Sequence, residues 1–178
     1  MFISEQKKKE SIAEYLLYMW QMEDILRAYE LDIDQVQKAL VDPTNHSLEK
    51  KQEARQWYLH LIEQMKSEGI EEYGHLKINN QLLEELSAFH SELLKDAKEV
   101  NYIETYYKTL PFIKELTLKS IDKEVSEIET CFTALYVYLL LKLSKTEISS
   151  DTSSAITQIS SLLRAFSERY NSQVKKEN

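Results

Sequence analysis

Only two glycines and two prolines, Gly69, Gly74, Pro43 and Pro111, interrupt a chain of 178 residues. Average usage would place roughly a dozen glycines and about nine prolines in a chain of this length. Hairpins and tight turns draw on these residues because they need positive or fixed φ. Long stretches without them favour helix. The sequence therefore predicts an all-α fold, a single-domain helical bundle of six or seven helices over residues 1–178, with a polar tail from about residue 171. The same scarcity excludes whole function classes. A P-loop or a dinucleotide fingerprint needs two or three glycines in one short loop, and Gly69 and Gly74 cannot supply either pattern. With 43% apolar and 29% charged residues, the composition is that of a globular chain able to bury a core.

Charge narrows the partners. The formal net charge is -8, and residues 63–104 hold ten Asp/Glu against four Lys. A nucleic-acid binder shows a basic footprint; Lys7, Lys8 and Lys9 lie between Glu5 and Glu10 and read as a solvated helix face. No nucleic acid is expected as a partner. Cys131 is the lone cysteine, which leaves no internal disulfide and no thiolate zinc site. The longest apolar run, Ala134 to Leu141, is far short of the roughly twenty residues a membrane span needs. The expected location is cytoplasmic, without membrane association.

Apolar periodicity places the elements. Helix 1 is expected from about Ser4 to Tyr29, with a broad apolar arc from Tyr18 through Met22, Leu26 and Ile12 to Trp20. Such an arc exceeds what one neighbour covers, so this helix is expected inside the bundle or at an interface. Asp32 with Gln35 reads as a capping box for a short helix ending near Val41, and Asp42-Pro43 turns the chain. A third helix runs from about Ser47 to Glu68 with Gly69 as C-cap. The fourth starts near Asn79 or Asn80 and carries Leu86, Phe89, His90 and Leu93. Pro111 is expected to break the tyrosine-rich helix that follows. A helix from about Ile121 to Leu143 is apolar on nearly all sides from Cys131 onward and is expected to be buried there. A last helix carries Ile156, Ile159, Leu162, Leu163, Phe166 and Tyr170, with Asp151 as its candidate cap and fraying from Asn171.

Chemistry is sparse. Glu72-x-x-His75 has di-iron spacing but occurs once with Gly74 inside it, and His60-x-x-Glu63 is reversed. Glu84-Glu85 lacks a third acid, because Ala88 stands where one would be needed. No metal site and no cofactor are expected. Cys131 sits among Phe132, Leu135 and Val137, where a thiol behaves as a small hydrophobe. No catalytic residue is assigned. His90 occupies a slot on an apolar stripe and reads first as a core histidine bonded to a tyrosine or a carbonyl. Glu23 and Arg27, at i and i+4 within the apolar arc of helix 1, read as an ion pair.

Two blocks carry a resemblance: Gln6-Lys7-Lys8-Lys9-Glu10-Ser11-Ile12-Ala13-Glu14-Tyr15-Leu16-Leu17-Tyr18-Met19-Trp20-Gln21-Met22-Glu23-Asp24, and Glu129-Thr130-Cys131-Phe132-Thr133-Ala134-Leu135-Tyr136 with Leu139-Leu140-Leu141. With these the chain resembles, over almost its whole length, a bacterial family of all-helical proteins known only as a domain of unknown function. The resemblance implies an all-α cytoplasmic protein and carries over no catalytic residue.

Two readings of function follow. The first is a non-enzymatic interaction or structural protein that self-associates as a homodimer, with an unidentified protein as a further partner. Abundant Tyr and Trp without a chemical constellation support it. The second is a small-molecule binder or enzyme with an aromatic pocket between helices 1 and 4, lined by Tyr15, Tyr18, Glu23, Arg27 and His90.

Overall fold

The computed structural model describes residues 2–119 and 125–177. Among them lie eight α-helices and no β-strand: α1 (Phe2–Glu10), α2 (Ile12–Ala28), α3 (Ile33–Val36), α4 (Leu48–Glu68), α5 (Lys77–Lys95), α6 (Val100–Lys119), α7 (Glu127–Leu143) and α8 (Ser150–Glu177). Helix makes up 81% of the structure. The expected all-α class holds, with eight helices rather than six or seven. The extra one arises because the first helix divides at Ser11, a residue type that competes for local backbone hydrogen bonds. Two compact units are present: the first runs up to Gln81, and the second comprises Leu82 onward together with Ser11–Ala13.

In the first unit, Met19 and Leu26 of α2 join Leu61, Ile62 and Met65 of α4, with Leu31, Val36 and Leu76, in one buried cluster. Each such side chain contributes roughly 1.5–3 kcal/mol when fully removed from water. Glu30 and Leu31 turn the chain after α2 in the left-handed region, at φ 54 and 53. A leucine there is strained by about 1–2 kcal/mol, and burial of its side chain in the cluster offsets the strain. Asp32 caps α3 as expected, its carboxylate accepting from the N–H of Asp34 and Gln35 and from the Gln35 side chain. A π-helical turn, Gln37–Val41, continues α3. Ser47 caps α4, and Gly69 ends it at φ 69.

In the second unit α6, α7 and α8 pack on one another. Phe89 of α5 meets Phe166 and Tyr170 of α8 edge-on. Pro111 lies inside α6 rather than ending it. The carbonyl it leaves without a helical donor is that of Tyr107, and both residues are exposed, so the lost bond falls on the solvent side of the helix. The interruption falls instead at 96–99, which leaves Asn101 inside α6. Ser126, not a residue near Ile121, caps α7, its hydroxyl accepting from the Glu129 N–H; Ile121 lies outside the described residues. Ser149, not Asp151, caps α8 by accepting from the Thr152 N–H. Helix α8 continues past Asn171, and residues 172–175 on it are exposed.

Candidate functional site

Glu23 is completely buried on α2. An unpartnered carboxylate there would be costly, and three donors from residues 75–79 meet it. The Leu76 N–H donates to Oε1 at 3.0 Å, and Asn79 Nδ2 donates to the same oxygen at 2.7 Å. His75 Nδ1 donates to Oε2 at 2.6 Å. The His75 ring stacks on Trp20 at 4.4 Å between centroids. The carboxylate thus nucleates the start of α5. This also explains why that helix begins at Lys77 rather than at an asparagine cap: the Asn79 side chain is committed to Glu23, and Asn80 Nδ2 donates back to the His75 carbonyl.

Arg27 does not pair with Glu23. It bridges to Asp24 at 2.8 Å, and its guanidinium donates to the carbonyls of Ile70 and Gly74. The expected Glu23–Arg27 ion pair is therefore replaced by two clamps on the 70–79 segment: a carboxylate that takes N–H groups, and a guanidinium that takes C=O groups. The partners in the 70–79 segment lie more than forty residues along the chain, beyond the reach of local spacing. Among the described residues, no group of three or more His, Cys, Asp and Glu side chains is placed to hold a metal ion.

His90 lies in the second unit, in a polar cluster of its own that runs from buried His90 and Tyr102 out to Glu127, whose side chain is 40% exposed. The Tyr102 hydroxyl sits 2.6 Å from His90 Nδ1, and Glu127 Oε2 lies 3.6 Å from Nε2. Tyr106 donates to both oxygens of Glu127, at 2.9 and 3.1 Å. Burial lowers the His90 pKa against the opposing pull of Glu127. Nδ1 shares a hydrogen bond with the Tyr102 hydroxyl, while Nε2 is buried without a hydrogen-bond partner, 3.6 Å from Glu127. Burial raises the Tyr102 phenol, and burial followed by the Glu127 carboxylate pushes the Cys131 thiol up to about 12. Neither group is poised to act as a nucleophile or base near neutral pH.

Tyr15 and Tyr18 pack partly buried against the core of the first unit. Tyr18 also walls a cleft of about 270 Å³ with Trp57 and Tyr58 of α4. The second unit carries an apolar surface. Ile128, Cys131, Phe132 and Tyr136 bury the N-terminal half of α7, but Val137, Leu140 and Leu143 are 47%, 39% and 61% exposed. The expected burial on all sides fails there because α7 projects these residues away from the helices that cover its first half. Val137 borders a groove of about 380 Å³, lined also by Leu116, Val125, Ala134, Leu141 and Ile156. No helix among the described residues is long and apolar enough to cross a membrane.

No curated protein and no solved structure matches the chain. The family described as Domain of unknown function (DUF4924) matches it over residues 1–178, and the chain belongs to that family.

Proposed function

For this member of the family we propose a non-enzymatic role: a cytoplasmic interaction protein that self-associates as a homodimer through α7. The exposed apolar ridge of Val137, Leu140 and Leu143 carries this reading. Single exposed hydrophobes need no account, whereas a contiguous set beside a groove marks an interaction surface. A two-fold dimer brings one patch against its own copy. A ridge beside an apolar groove is self-complementary in that arrangement, since the ridge of each copy fills the groove of the other. A net charge of -8 disfavours nucleic acid as the partner.

Light scattering coupled to size exclusion tests the reading. At tens of micromolar the chain is expected at twice its mass of 21.0 kDa. The double variant Val137→Lys, Leu140→Lys is expected at the single-chain mass with an unchanged helical spectrum, because both positions face solvent in the single chain. A wild-type mass of 21.0 kDa at that concentration refutes the proposal.

A further inference from the structure

The cleft beside Tyr18 has no part in the dimer proposal, and it has the features of a ligand site. We propose that it binds a small aromatic carboxylate. Its volume of about 270 Å³ falls just under the roughly 300–1,000 Å³ of drug-sized sites, which suits a ligand of one or two rings.

The walls suit an aromatic guest. Tyr18 and Trp57 lie nearly parallel, 17° apart in plane with centroids 6.3 Å apart, and Tyr58 meets Trp57 edge-on at 5.0 Å. Rings held this way by their neighbours lose little freedom when a ligand arrives. Leu40 and Val41, which also line the cleft, come from the π-helical turn. Such turns are rare and recur at functional sites.

The polar groups choose the charge. Among the described residues the hydroxyls of Tyr18 and Tyr58 have no hydrogen-bond partner in the protein. Burial raises both phenols, so each stays protonated and able to donate. Among the described residues, Lys50, Lys51, His46 and Glu53 are the ionisable side chains that line the cleft besides its tyrosines. Lys51 is held in place by donating to the Asp42 carbonyl at 2.7 Å. Among the described residues, Lys51, an imidazole and two phenol donors at the cleft favour an anion over a cation.

The test is a titration of the ¹⁵N-labelled full chain with indole-3-acetate, followed at the two indole N–H resonances, with tryptamine as the cationic control. Indole-3-acetate is expected to shift Trp57 saturably in the sub-millimolar to low-millimolar range and to leave the buried Trp20 unmoved. Tryptamine is expected to bind at least about tenfold more weakly, since two nearby cations reverse their effect with ligand charge. Lys50→Glu with Lys51→Glu is expected to weaken the acid by about tenfold or more at unchanged helicity. Ala54→Leu, on the cleft wall, is expected to abolish binding. Because that variant could disturb α4, the lysine pair decides if it does not fold. Equal binding of acid and amine, a Trp57 shift indifferent to the lysine changes, or no saturable shift at about 10 mM ligand overturns the proposal. Since the dimer is read from α7 by mass, either proposal can fail without the other.

Discussion

Replacing Glu23 with leucine tests the central polar clamp of the first unit. The carboxylate is completely buried, and it is the acceptor for the Leu76 N–H and for Asn79 Nδ2. Leucine keeps the volume and removes the oxygen that accepts from both. Each buried donor left unsatisfied costs about 1–3 kcal/mol. The third donor, His75, has a side chain 31% exposed, so water replaces its bond at little cost. The expected loss is about 2–6 kcal/mol. Glu23→Gln keeps one oxygen for the two buried donors and is expected to cost only about 1 kcal/mol, since the His75 ring can change tautomer to accept from the new amide. Arg27→Met is expected to cost about 1–2 kcal/mol, because the carbonyls it releases belong to a partly exposed segment. Both side chains hold the 70–79 segment from neighbouring turns of α2, so the Glu23→Leu, Arg27→Met double variant is expected to depart from additivity, by about 0.5–3 kcal/mol. Urea unfolding followed by circular dichroism gives these values from midpoint and slope. A Glu23→Leu loss below about 1 kcal/mol refutes the clamp.

His90 makes stability acid-sensitive. Its folded pKa is lowered, so the unfolded chain binds the proton first, and its contribution is lost as pH falls below the ordinary imidazole value of about 6.5. Urea midpoints at pH 7.5 and 5.5 are expected to differ more for wild type than for His90→Gln; an equal difference refutes this. Cys131 works in the opposite direction. Its raised pKa stabilises the fold below the ordinary thiol range and ceases to do so as pH rises toward about 12. Its reaction with a disulfide reagent at pH 8 is expected to follow unfolding, and rapid labelling of the folded chain would contradict the burial. Pro111→Ala is expected to stabilise by about 1 kcal/mol or more by restoring a helical hydrogen bond on an exposed face, measured by thermal melting. Gly69→Ala, at φ +69 with open space around its Cα, is expected to cost about 1 kcal/mol from backbone strain alone.

The features legible in the sequence share a short range. Asp32 and Gln35, Ser47 and Gly69 act on backbone groups within a few residues, so their types and spacing were enough to place the caps of α3 and both ends of α4. Apolar periodicity likewise placed Leu61, Ile62 and Met65 on the buried stripe of α4, and the His90 slot on α5. Periodicity also showed that Glu23 lies within an apolar arc and must be satisfied. Which groups satisfy it could not be read, because three donors at 75–79 compete on equal local terms with Arg27 one turn away, and packing chooses between them. Pro111 continues α6 instead of breaking it for a related reason. Its cost depends on whether the freed carbonyl meets water or protein, which no local pattern records. The C-terminal half of α7 shows the same limit. Apolar side chains on every face state a demand for cover, but only the tertiary arrangement decides where the chain's own helices stop providing it. Local backbone chemistry is written into residues three or four apart; the pairing of distant groups is settled only when the helices pack.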